Sequence, residues 1–262
     1  VRENKNGPKI ESENDMSQTK TPGRVIVTGG ASGIGLAVAK AFLESGAQVG
    51  IVDKAFGDAL AGYGNRLHTR VADVSDETEI AGAINELSTA MGGVDTVVAS
   101  AGIDGELGAS VGDVTTADFR RVLEVNVLGV FHTVKHSLPH MVEEEHASVT
   151  IIGSDSGFVS APGMLAYNAS KGALVQLTRA LSFELFVQHG IRVNSVCPSI
   201  VDTPMARRGL GVESFEDAPY PVNTAEDVAR SVLFLSSPQA RAINGVNLLS
   251  DFGFSARSSF PA

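Results

Sequence analysis

The chain has 262 residues, 43% hydrophobic content and a formal net charge of −10. That length suits one large α/β domain or at most two small ones. The acidic balance, with no basic cluster, argues against a nucleic-acid surface. No apolar run is long enough to span a bilayer, and the N-terminal stretch lacks the apolar core of a signal peptide. The single cysteine, Cys197, rules out an internal disulfide framework and fits a reducing, cytoplasmic compartment. It reads as a small apolar strand residue.

Residues 1–22 are polar, carry no periodicity and read as a flexible tail. The expected domain runs over 23–262. Its rhythm is strand, turn, helix, repeated. Strands are expected at 24–28, 48–53, 67–72, 94–99, 148–153, 191–197 and 246–250. Helices are expected at 36–44, 76–91, 116–140, 166–188 and 224–235, with Pro139 as a possible break near the end of the third. Continuous apolar strands alternating with helices indicate a parallel sheet covered on both faces. Right-handed crossovers make it doubly wound.

Thr28-Gly29-Gly30-Ala31-Ser32-Gly33-Ile34-Gly35 joins the first strand to the first helix. Glycines there let the backbone turn sharply and approach a pyrophosphate at the helix N-terminus. Alone, such a run is also an ordinary turn; its place between strand and helix points to a dinucleotide. Asp53 ends the second strand, where a carboxylate accepts from ribose hydroxyls and repels a 2′-phosphate. The glycine turn has no arginine, so NAD is expected rather than NADP. Lys54 follows Asp53 and softens that repulsion. Asp73 and Val74, after the third strand, face the adenine in this reading, with a turn aspartate as the competing role for Asp73.

Tyr167 and Lys171 stand four apart in a predicted helix, on one face. An ammonium beside a phenol favours the phenolate and lowers its pKa from about 10 toward working pH. That arrangement makes a general acid/base for an alcohol proton. His132, His136 and His140 recur along the third helix, but no further ligand completes a metal set, so they read as a partly solvated face and no metal is expected. Glu143-Glu144-Glu145 reads as a solvated turn.

In order and spacing, these residues resemble the short-chain dehydrogenase/reductase family over about 24–253. The marks are Thr28 to Gly35, Asp73, Ala101-Gly102, Asn126, Ser154, Tyr167, Lys171, Asn194 with Pro198, and Thr203. The resemblance implies a Rossmann-type sheet, a nicotinamide cofactor and alcohol/carbonyl redox chemistry. It makes Tyr167 the proton donor and acceptor, with Lys171 lowering its pKa and binding the nicotinamide ribose. It makes Ser154, rather than the nearby Ser156, the anchor of the substrate oxygen, and Asn126 the anchor of a water linking Lys171 to solvent. Val201 and Thr203, after Pro198, would meet the carboxamide and the phosphate. Gly29, Ser32, Gly33, Ile34 and Gly35 would hold the pyrophosphate, and Ala101 and Gly102 would lie along the dinucleotide.

Four positions depart from the pattern. Ala99-Ser100 replaces two asparagines, Gly153 a serine, Ser199 a glycine and Phe252 a glycine. Residues 205–222 are expected to cover the substrate, with Arg207 and Arg208 as either carboxylate binders or solvated charges. By position in the family pattern, Phe158, Met164, Leu165 and 104–107 add walls. Small and apolar residues such as Ala169, Gly172, Ala173, Ala180 and Phe183 suggest a second buried helix face. With the resemblance, that implies a homotetramer, or a dimer as fallback. The leading expectation is an NAD-dependent oxidoreductase of a small-molecule secondary alcohol or ketone. The alternatives are an NADPH-linked 3-oxoacyl carrier-protein reductase and a non-catalytic NAD-binding sensor.

Overall fold

A computed structural model describes residues 23–141 and 146–256. The tail at 1–22 and the acidic run Glu143–Glu145 lie outside the described residues. Seven strands form one parallel sheet: β1 (Arg24–Thr28), β2 (Gln48–Asp53), β3 (Leu67–Val71), β4 (Thr96–Ala99), β5 (Ser148–Ile152), β6 (Arg192–Pro198) and β7 (Asn247–Ser250), in the order β3-β2-β1-β4-β5-β6-β7. The chain winds outward from β1 to β3, then returns to start again at β4 beside β1. That reversal opens a crevice at the carboxyl ends of β1 and β4, where ligands of such sheets bind.

The strands read as unbroken apolar runs because both faces are covered. In β1, Ile26 enters one core while Val25 and Val27 enter the other. Helices α1 (Gly33–Glu44) and α7 (Ala225–Ser236) pack together on the second side. The first side carries α2 (Glu77–Met91), α4 (Gly129–Ser137) and α5 (Leu165–His189), with α3 (Thr116–Leu123) packed against α5. Local chemistry sets the ends. Asp76 accepts from the amides of Thr78 and Glu79 to start α2, and left-handed Gly92 ends it. Thr224 and Asp227 form a reciprocal capping box on α7.

The expected single helix over 116–140 is not continuous. A π turn at Glu124–Leu128 separates α3 from α4, and a 3-10 turn at Leu138–His140 follows, with Pro139 near its start. Proline has no amide hydrogen to continue the ladder. The π turn adds one residue to a turn and carries Asn126 into the core. A short helix α6 (Pro204–Leu210) lies within the segment expected to cover the site.

Candidate active site

The crevice is a cavity of about 940 Å³. At one end lies the glycine turn. Gly29 has φ 69°, and a Cβ there would stand 2.7 Å from the Ala101 Cα. A Cβ at Gly35 would stand 2.1 Å from the Gly29 carbonyl oxygen, so only glycine lets the start of α1 close on the strand. Ser32 makes no side-chain cap at this helix, so its first amides face the cavity without a side-chain partner. These features fit a bound pyrophosphate.

All the residues expected to hold a dinucleotide line this one cavity: Gly29, Ser32 to Gly35, Asp53, Asp73, Val74, Ala101, Gly102, Pro198, Val201 and Thr203. Asp53 accepts from the amides of Ala31 (2.9 Å) and Lys54 (2.7 Å), which fixes its carboxylate at the end of β2. The Lys54 side chain does not soften that charge; its ammonium pairs with Asp73 at 2.7 Å. Asp73 also accepts from the amide and hydroxyl of Ser75, so the turn role is realised. Burial alone would raise its carboxyl, but the Lys54 and Ser75 bonds outweigh burial and hold it at about 2. Thr203 caps α6 through the Ala206 amide, and its methyl group faces Gly33.

At the other end Ser154, Tyr167 and Lys171 share the cavity wall. Ser154 leaves the end of β5, while the other two rise from the first turns of α5. Ser156 serves Ser154 instead of replacing it: its amide donates to the Ser154 hydroxyl oxygen at 3.1 Å. The Ser154 hydroxyl donates to Asp155 Oδ1 at 3.1 Å. The expected lowering of Tyr167 by Lys171 does not hold for this geometry. Burial pushes the phenol up to about 12, partly opposed by a Ser154 hydrogen bond and reinforced by Asp155 and Asp104. The Lys171 ammonium lies 5.5 Å from the Tyr167 ring centroid and donates instead to the Ile152 carbonyl at 2.9 Å. Burial pushes Lys171 down to about 8.

Asn126 lies outside the cavity lining and is buried. Its amide group donates to the Ile103 carbonyl (2.9 Å) and the Ser170 hydroxyl (3.0 Å), and its oxygen accepts from the Ile103 amide (2.8 Å). Both amide hydrogens are engaged, so one lone pair on Oδ1 is what its side chain has left for a water. Its visible work is to clamp the strand-end segment beside Lys171.

The departures have local explanations. Thr28 Oγ1 accepts from the Ser100 amide at 3.2 Å, replacing part of what side-chain amides would hold. A Cβ at Gly153 would stand 2.6 Å from Cys197 Sγ, so the cysteine fills the space a larger residue would need. Ser199 avoids the left-handed region, whereas Phe252 occupies it at φ 55°. Arg207 pairs with Asp202 at 2.6 and 2.9 Å, which settles its role as a surface ion pair. Arg208 lines the cavity with Met205, Gly209 and Leu210. Of the expected walls, Asp104, Leu107 and Met164 line it, but Phe158 and Leu165 line a neighbouring recess of about 610 Å³. His132 Nδ1 engages the Val74 carbonyl and His136 the Glu77 carboxylate. Among the described residues no three potential ligands gather for a metal.

A family model described as enoyl-(acyl carrier protein) reductase matches residues 29–255. The chain belongs to the short-chain dehydrogenase/reductase family. It is 35% identical over 246 residues to 2-(R)-hydroxypropyl-CoM dehydrogenase of Xanthobacter autotrophicus, covering 88% of this chain and 98% of that one. Among solved structures of this family, 3-ketoacyl-(acyl-carrier-protein) reductase from Brucella melitensis, complexed with NADH, is similar with a TM-score of 0.81 and 33% identity, covering 89% of this chain and 98% of that one. A short chain dehydrogenase from Burkholderia cenocepacia in complex with NADP has a TM-score of 0.81 and 32% identity, covering 90% and 98%. This chain is therefore an oxidoreductase interconverting hydroxyl and carbonyl groups. No helix among the described residues is long and apolar enough to cross a membrane.

Proposed function

We propose that the protein is an NAD-dependent dehydrogenase of a small secondary alcohol, with Tyr167 as general acid/base. The observation that carries this reading is the convergence of Ser154, Tyr167 and Lys171 on one end of the cavity whose other end holds the glycine turn and Asp53. The nearby cations are spent elsewhere: Lys54 on Asp73, and Arg121 on Asp118 at 3.0 Å. A 2′-phosphate beside Asp53 would meet a fixed carboxylate without a free partner, which supports NAD over NADP.

The bound dinucleotide supplies the hydride acceptor. The protein supplies the proton chemistry and the orientation. Ser154 holds the substrate oxygen, and Tyr167 as phenolate takes its proton. Lys171 is a buried positive charge 5.5 Å from the phenol ring centroid, and it is the donor available to ribose hydroxyls. Asn126 keeps the Ile103 segment in place beside it. A second apolar face on α4 and α5 supports a homotetramer, and the lone buried Cys197 supports a cytoplasmic setting.

Tyr167→Phe is expected to lower kcat by roughly 10²–10⁴-fold while leaving nucleotide titration unchanged. Retained turnover with intact binding would remove Tyr167 from the mechanism. The same assay, run over secondary alcohols, polyols and cyclic ketones with both cofactors, tests NAD preference. Including a 3-oxoacyl thioester tests the reductase reading that the Brucella structure favours.

A further inference from the structure

We propose that Arg208 determines substrate specificity by binding a carboxylate on the substrate, so that the alcohol oxidised is a small hydroxy acid. This rests on the dehydrogenase reading given above. The cationic side chains lining the cavity are Lys54, Arg121, Lys171 and Arg208. Lys54 pairs with Asp73 at 2.7 Å and Arg121 with Asp118 at 3.0 Å, while Lys171 donates to the Ile152 carbonyl at 2.9 Å. Among the described residues, Arg208 alone of these four has no side-chain partner. Its neighbour in sequence differs. Successive helical residues point about 100° apart, and Arg207 turns away from the cavity to pair with Asp202. Arg208 shares the cavity face of α6 with Met205 and Gly209.

The seating of α6 places this charge at the substrate end. Thr203, its N-cap, has its methyl group beside Gly33 of the glycine turn. The far end rests on the segment after β4: a Cβ at Gly209 would stand 2.9 Å from Leu107 Cδ1 and 3.7 Å from Asp104 Oδ2. Left-handed Gly211 closes the helix there. Arg208 thus lies more than one helical turn beyond the pyrophosphate contact, beside a segment whose Asp104 is close enough to act on Tyr167. The wall around it is apolar, with Leu107, Ile200 and Met205. A guanidinium presents a planar fork that meets a carboxylate in two parallel bonds, and such a pair strengthens away from bulk water. Asp104, near the phenol, repels an anion from that end. A hydroxy acid is therefore drawn in with its carboxylate toward α6 and its carbinol toward Ser154 and Tyr167.

The test compares matched pairs that differ in charge and hardly in size: 3-hydroxybutanoate, 4-hydroxypentanoate and 5-hydroxyhexanoate, each against its primary amide. Both kcat/KM for oxidation and calorimetric affinity for the NADH-saturated protein are measured, the second needing no turnover. The wild type should prefer the acid for at least one chain length. Arg208→Gln should lower that acid-to-amide ratio about 10–100-fold, the usual scale of a lost charge-assisted pair, with nucleotide affinity unchanged. Arg208→Lys keeps the charge without the fork and should fall between. Arg207→Gln, a change of equal charge on the outer face, should leave the ratio alone. A wild type that prefers the amide throughout overturns the proposal, as does an unchanged ratio in Arg208→Gln or an equal fall in Arg207→Gln. Weaker nucleotide binding in Arg208→Gln with the ratio intact would overturn it too, by assigning the guanidinium to the pyrophosphate. Acid preference in calorimetry without oxidation of any pair would remove the dehydrogenase reading and leave the Arg208 site standing, so the two failures are told apart.

Discussion

Gly153 and Cys197 divide one small volume beside Ser154. The Gly153 amide donates to the Val196 carbonyl at 2.8 Å, and the cysteine next in that strand takes the room above it. A methyl group at Gly153 would stand inside the contact distance of sulfur, and the strand cannot retreat without moving Ser154. Gly153→Ala should therefore destabilise the protein by about 1–3 kcal/mol, the usual effect of overpacking. It should also lower kcat/KM more than it changes nucleotide affinity. Cys197→Ala removes the obstructing sulfur, so the double variant should recover most of both losses. Urea denaturation and steady-state assays on the two singles and the double give the answer. A double variant no better than Gly153→Ala alone would refute the shared-volume account. The glycine was visible in the sequence as a departure from the family pattern. Its cause was not, because the sulfur that excludes a side chain comes from another strand.

At the scale of elements, strand and helix order was legible because β1, β4, β5 and β6 are apolar on both faces and because each α/β turn carries its own cap or glycine. The π turn was not legible: a single widened turn at Glu124–Leu128 is too short to show as a break in the apolar spacing on either side of it. Asn126 was picked out by its place in the family pattern, yet its partners Ile103 and Ser170 belong to separate segments that no local pattern joins. The unpartnered side of α5 was legible as a surplus of apolar residues. In the fold Phe183 is 75% and Val187 60% exposed, with Leu128 and Phe131 partly exposed on the π turn and α4. Burying such a face against copies of itself follows from the hydrophobic effect. Light scattering at micromolar protein should give the mass of a tetramer. Phe183→Glu should lower that mass, since a charge buried at a symmetric contact meets its own copy. A monomeric wild type would refute the assembly.

At the scale of the whole molecule, the site is held at a cost to stability. Lys171 carries its ammonium into a buried position with the Ile152 carbonyl as its hydrogen-bond partner, and burial lowers it from 10.5 to about 8. The charged form is thus disfavoured by about 3 kcal/mol relative to solvent, at ~1.4 kcal/mol per pH unit. Lys171→Met keeps the side-chain volume and removes the charge. Measured without added nucleotide at pH 7, it should unfold at higher denaturant, with a gain of about 2 kcal/mol, while losing turnover. The pH dependence fixes the sign. Below about 8 both folded and unfolded Lys171 are protonated, and the penalty is complete. Between about 8 and 10.5 the folded lysine has lost its proton and the unfolded one has not, so wild-type stability rises through that window. The variant lacks this rise, and its advantage should shrink toward zero as pH approaches 10.5. Tyr167, raised to about 12, lowers stability above pH 10, but it does so in both proteins and cancels in the difference. A variant less stable than wild type, or a gain that ignores pH, would mean that the ammonium is already compensated. The opposite outcome would show that this fold gives up stability to keep a buried positive charge in the cavity wall.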